Sequence, residues 1–176
     1  GIARAIYGVV TFNHKGGAST ITQQLAKQLY HDPADNILER IQQKLNEWVI
    51  AVKLERSYTK EEIIAMYLNR FDFLNLAVGI ETASRVYFKT SPDSLNISQS
   101  AMLIGMVQNP SKYNPLRFPD RTKTRRNVVL NQMEKYDFIS SAVADSVKNL
   151  PLNIKFQKVD HNIGEATYFR EFIRQW

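Results

Sequence analysis

Gly17-Ala18-Ser19-Thr20-Ile21-Thr22-Gln23-Gln24-Leu25-Ala26-Lys27 sets a glycine loop, a helix start and a row of polar contact groups within eleven residues. Gly16 and Gly17 open backbone conformations closed to other residues, and Ser19 or Thr20 can cap a helix started from them. Thr20 and Gln23 have capping-box spacing, which predicts a helix beginning near Ile21. On that helix Gln23 and Lys27 stand four apart and share a face. Backbone N–H groups at a helix start, hydroxyls, amides and one ammonium together suit a phosphate or a sugar. A capped helix with surface glutamines is also an ordinary object, so spacing alone does not make this a site.

Outward from that stretch, helical periodicity dominates. It predicts helices near 2–10, 20–30, 36–56, 60–69, 77–88, 97–107, 119–135, 140–149 and 163–175. Asp32-Pro33, Ser91-Pro92, Asn109-Pro110, Asn114-Pro115 and Phe118-Pro119 disfavour helix at their first residue and mark breaks. The only strand signal is the alternation from Leu152 to Val159, which reads as one strand or as an extended linker. On 36–56, an ideal helix gathers Leu38, Ile41, Leu45, Trp48, Val49 and Val52 on one broad side, the expected core face. Arg40, Lys44, Glu47 and Ala51 fall on another side, which by itself reads as a solvated ion-pair ladder.

With 176 residues and 44% hydrophobic content the chain has enough apolar material for one ordinary domain, and one compact unit is expected. A net charge of +6 favours anionic partners without choosing among nucleic acid, an acidic membrane and a phosphorylated substrate. There is no cysteine, which excludes disulfides and thiolate metal sites. His14, His31 and His161 lack metal-ligand spacing. No apolar run approaches the roughly 20 residues of a membrane span. Gly1 to Tyr7 reads as a helix already under way without a cap, so the expectation is a fragment lacking its upstream part.

The opening string is similar to the second signature motif of the peptidoglycan glycosyltransferases, glycosyltransferase family 51, written G-x-S-T-I-T-Q-Q-x-x-K-N, with Gln28 in place of the final asparagine. Lys44, Glu47, Ala51, Leu54 and Glu55 match the third motif, R-K-x-x-E-x-x-x-A-x-x-L-E, where Gln43 replaces the arginine. Arg40 lies close to an arginine that family members place just upstream. Lys60 to Asn69 resembles the fourth motif, K-x-x-I-L-E-x-Y-L-N, with Ala65 for the glutamate. Gly79, Ala83, Ser84, Tyr87 and Phe88 resemble the fifth, G-x-x-x-A-A-x-x-Y-F-x-K, with Thr90 in the lysine position. Four motifs in order over residues 17 to 90 are far more specific than any one, and Asn109 to Pro115 resembles a stretch found after them in the family. The first motif, E-D-x-x-F-x-x-H-x-G, which carries the glutamate thought to act as general base, does not occur in the chain.

The resemblance implies a mainly α, lysozyme-like helical domain, truncated at its amino end, with little β structure. It implies a domain over 1–150 and, over 151–176, an extension or the start of a linker to an absent transpeptidase domain. It implies polymerisation of lipid II into glycan strands with inversion and release of polyprenyl pyrophosphate, at the periplasmic face of the bacterial cytoplasmic membrane through an anchor missing from this chain. Other cell-wall synthesis proteins would be partners, and nucleic acid would not. Glu47 would be the catalytic residue present, with Ser19, Thr20, Gln23, Gln24, Lys27, Arg40 and Lys44 binding substrate. Proposed roles for the family's second glutamate include orienting basic groups, assisting the leaving group and coordinating a divalent cation such as Mg²⁺. Its basic neighbours argue against Glu47 as a proton donor.

Three rival readings stand beside this one. The first is a fragment that binds lipid pyrophosphate without turnover, and the second a lysozyme-like hydrolase, which would shorten glycans. The third, a helical nucleic-acid module, rests on charge alone. Ser57-Tyr58-Thr59-Lys60 fits S-x-x-K, but without S-D-N or K-T-G it reads as a turn with Thr59 capping a helix. Arg121, Lys123, Arg125 and Arg126 form a basic cluster that reads as a solvated face or an approach to membrane phosphates.

Overall fold

The computed structural model describes residues 19–30 and 36–158. The helices expected at 2–10 and 163–175, the glycines at 16 and 17 and all three histidines lie outside the described residues. The chain forms two compact units, Gly1–Arg70 and Phe71–Trp176. The mainly α class expected from the sequence is the class observed: the described residues form seven α-helices and one isolated bridge, between Asp72 and Val78.

In the first unit α1 (Ile21–Leu29) packs on both α2 (Ile37–Ser57) and α3 (Lys60–Arg70). Each start has a local cause. The Thr20 hydroxyl accepts from the Gln23 amide at 3.2 Å, and Asn36 Oδ1 accepts from the Glu39 amide at 2.8 Å. Thr59 and Glu62 form a reciprocal capping box, with bonds of 2.8 and 3.3 Å, so Ser57 to Lys60 is the turn and helix start that its sequence predicts. Leu25, Ala26, Ala51, Ile63 and Tyr67 are the buried apolar residues here, joined by Thr22 and Glu47.

The expected core face of α2 is overturned. Leu38 is 78% exposed, and Ile41, Leu45, Val49 and Val52 are exposed too, while Trp48 is half-buried. The buried residues of α2 are Glu47 and Ala51, from the stripe that reads as solvated. Lys44 of that stripe reaches Ser19, just before α1. Periodicity identifies a face that leaves water; it does not say what meets that face.

The second unit begins with a tight loop. Leu74, Asn75 and Leu76 all take left-handed backbone angles, at φ 66, 54 and 64°, which L-residues rarely adopt in succession. Tyr87 holds them: its hydroxyl donates to Phe73 O at 2.7 Å and accepts from Asn75 Nδ2 at 2.8 Å. The loop delays α4 to Ile80–Phe88, three residues later than periodicity predicts, with Gly79 before it at φ 83°. A 3₁₀ turn (Pro92–Ser94) comes next, then α5 (Ile97–Val107), α6 (Pro119–Lys135) and α7 (Ser141–Asn149). Met102, Leu103, Met106 and Leu130 are fully buried, each worth about 1.5–3 kcal/mol relative to exposure. Residues 151–158 run extended, and the amides of Lys155 and Gln157 donate to Tyr87 O and Val86 O at 2.8 Å each. Of the two readings of that segment, the strand is not observed over 152–158, where the backbone is extended.

The basic run on α6 divides. Arg121 is exposed and Arg125 half-buried, but Arg126 is fully buried. Its guanidinium donates to Ser98 Oγ (3.0 Å), Pro151 O (3.3 Å), Lys148 O (3.0 Å) and Asn127 Oδ1 (3.0 and 3.1 Å). Burial lowers its pKa from the usual arginine value. The bonds to Ser98, Lys148 and Pro151 tie α6 to the start of α5 and the end of α7, and the two to Asn127 stay within α6. Arg126→Met removes the donors and strands buried carbonyls, so urea denaturation should show a loss of about 3 kcal/mol, with Arg126→Lys in between.

Candidate functional site

The site forms where the start of α1 meets the polar stripe of α2. Lys44 Nζ donates to Ser19 Oγ at 3.1 Å and forms a short ion pair with Glu47 Oε2. Glu47 is only 6% exposed, so its charge has left water and depends on that ammonium. Lys44 and Glu47 sit three apart on α2, the helical spacing that puts two side chains on one face. Asn36 and Thr20 fix the two helix ends, and the residue just before Thr20 is Ser19. The ammonium therefore lies beside the amino end of α1, where unpaired backbone N–H groups already favour negative charge.

A second chain of contacts steadies the same point. Gln24 Nε2 donates to Ser19 O at 3.4 Å, and Gln24 Oε1 accepts from the Tyr67 hydroxyl at 2.9 Å. Tyr67 is 3% exposed, and burial raises its pKa, keeping it a neutral donor. Three helices thus fix Ser19. Tyr67 is the member that reasoning about site residues missed. Its signal was present in the fourth motif, where it sits four after Ile63 on the buried face of α3.

The other expected residues stand differently. Thr20 spends its hydroxyl on the helix cap. Gln23 is half-buried and joins that cap only through its amide. Lys27 is exposed, and its direction lies roughly 150° around α1 from the mean of buried Thr22, Leu25 and Ala26, at about 100° per residue. It sits in the last turn, at the opposite end of α1 from Ser19. Arg40 shares the stripe of Lys44 and Glu47 but is exposed. Among the described residues, neither Lys27 nor Arg40 has an ion pair or side-chain hydrogen bond. The structure therefore joins Ser19, Gln24, Lys44 and Glu47 and leaves Lys27 and Arg40 outside that network.

A divalent cation needs several oxygen donors. Among the described residues no group of three acids or imidazoles gathers anywhere, and the carboxylate of Glu47 is engaged by Lys44. The described residues thus supply no ready-made carboxylate cage, and a bound pyrophosphate would bring the remaining oxygen donors. Tyr67→Phe keeps the ring and deletes the donor to Gln24. It should cost about 1 kcal/mol in denaturation and shift the amide resonances of Ser19 and Gln24, with helix content unchanged.

Comparison with known proteins supplies the family. The family model described as Transglycosylase matches residues 1–134. Penicillin-binding protein 1A of Neisseria lactamica is 35% identical over 178 aligned residues, covering 99% of this chain and 21% of that protein. Penicillin-binding protein 1F of Bacillus subtilis is 37% identical over 177, covering 98% and 23%. Among solved structures, penicillin-binding protein 1A from Haemophilus influenzae matches with a TM-score of 0.50 and 25% identity, over 88% of this chain and 19% of that one. The chain spans about a fifth of the length of the curated relatives it matches. Matched by the family model over most of its length, this mainly helical, lysozyme-like chain belongs to the transglycosylase family, the glycosyltransferase domains of class A penicillin-binding proteins.

Proposed function

We propose that this chain serves peptidoglycan polymerisation by gripping the pyrophosphate of a lipid-linked sugar donor, lipid II or the growing strand. The observation that carries the reading is Lys44, held between the Ser19 hydroxyl and buried Glu47 at the amino end of α1. In the reaction the acceptor sugar hydroxyl attacks the donor's anomeric carbon, the carbon–oxygen bond to pyrophosphate breaks with inversion, and the bond pair leaves on the phosphate oxygen. Charge grows on that oxygen. An ammonium placed beforehand stabilises it without reorganisation at the moment of bond breaking. Glu47 acts by holding Lys44, and Ser19 and the first amides of α1 add hydrogen bonds.

The hydroxyl's proton needs a base, and the chain contains no E-D-x-x-F motif. Glu47 is engaged by Lys44, so we assign proton removal to no residue of this chain.

The apolar face of α2 supports a membrane partner. Leu38, Ile41, Leu45, Val49 and Val52 stand exposed along one side of a 21-residue helix. No helix of the described residues is long and apolar enough to cross a membrane. A face of this kind suits lying against a lipid surface, where a lipid-linked substrate would also be found.

Three outcomes test the proposal. Lys44→Ala should weaken binding of a polyprenyl pyrophosphate about tenfold, or ~1.4 kcal/mol, while Lys27→Ala changes it less. Glu47→Gln releases Lys44 from its partner and should weaken the same pyrophosphate about tenfold, or ~1.4 kcal/mol, with the helix content unchanged. Leu45→Glu with Val49→Glu should abolish flotation of the chain with anionic vesicles. Equal effects of Lys44→Ala and Lys27→Ala would count against the assigned grip.

A further inference from the structure

The turn before α6 and the first half of that helix enclose a second feature, in the unit that begins at Phe71. Tyr113, Asp120, Arg121, Thr124, Arg125 and Val128 line an open pocket of about 300 Å³. Arg121, Thr124, Arg125 and Val128 recur three and four apart, so α6 presents them as one wall. Tyr113 supplies the facing surface.

The two guanidinium groups are braced without being neutralised. The Arg121 guanidinium carbon lies 4.9 Å from the Phe118 ring centre, and that of Arg125 lies 5.9 Å from Tyr113. Arg125 Nε also donates to Gly105 O at 3.4 Å. Gly105 permits that approach, since a Cβ there would stand 3.2 Å from Arg125 Cγ. Asp120 adjoins Arg121 in sequence, yet among the described residues neither arginine pairs with a carboxylate, and the Asp120 carboxylate has no hydrogen-bond partner. Lys112 Nζ stands 5.5 Å from the centre of the Tyr113 ring.

We propose that this pocket binds the carboxylate end of a short peptide that also carries an ammonium. A planar guanidinium fork matches a carboxylate in two-point geometry. Asp120 repels a doubly charged phosphate but welcomes an ammonium, so the lining selects a ligand with both signs of charge. Tyr113 and Val128 take a small apolar side chain between them, and the volume lies at the small end of the range for ligand sites. The site is independent of the glycosyl-transfer reading, because its test measures binding alone.

The test titrates the 176-residue chain with the tripeptide Lys-Ala-Ala, its carboxy-terminal amide and inorganic phosphate, monitored by amide NMR at Tyr113, Thr124 and Val128. The free-acid tripeptide should bind with a Kd on the order of 1 mM, its amide at least about fivefold more weakly, and phosphate more weakly still. Arg125→Lys keeps the charge and loses the fork, and should weaken the tripeptide about fivefold. Arg121→Gln, at an exposed position, should do the same without changing the thermal melt. Equal binding of acid and amide, tighter binding of phosphate, or unchanged affinity in Arg121→Gln would each overturn the proposal.

Discussion

The first unit depends on the pairing of a buried carboxylate with an ammonium. Glu47 has left water, and uncompensated ionised groups do not persist in protein interiors. Lys44 compensates it, and Ser19 takes another of the three ammonium hydrogens. Breaking such a pair costs more than the pair contributes, so its presence is poor support for stability and better support for a job at that position. The job the geometry suits is presenting positive charge at the start of α1, where the helix dipole already favours anions.

That arrangement explains the orientation of α2. A helix cannot turn both its polar stripe and its apolar face to the same neighbours. Here Glu47 and Ala51 are buried and Lys44 reaches Ser19 just before α1, while Leu38, Ile41, Leu45, Val49 and Val52 are left exposed. In a soluble protein this would be a costly inversion. It becomes economical if the outward face meets lipid, which is the membrane reading proposed above. The two faces then do separate work on one helix: the inner one holds the headgroup end of a substrate, the outer one meets the medium in which its tail dissolves.

Much of this was legible in the sequence because it is local. Helix limits at 97–107 and 119–135 coincide with the periodic expectation, and the others in the described residues, α4 apart, fall within a residue, since Thr20, Asn36, Thr59, Asn96 and Ser140 write their caps beside them. What was not legible is long-range. The delayed start of α4 rests on Tyr87 holding a left-handed run twelve residues upstream. Arg126 reads as one more surface cation until its acceptors, 22 to 28 residues away, are seen. Tyr67 stood in a quoted motif, but its hydrogen bond to Gln24 spans 43 positions. Lys27 illustrates the converse. Its motif position suggests a phosphate contact, and the fold points it away from the buried side of α1.

The most direct measurement of the central claim is a structure of the chain with a short-tailed polyprenyl pyrophosphate bound. Phosphate oxygens should lie within about 3 Å of Lys44 Nζ and Ser19 Oγ, with the Lys44 to Glu47 pair retained. A pyrophosphate bound at Lys27 or Arg40, with Lys44 untouched and still turned wholly to Glu47, would contradict that claim.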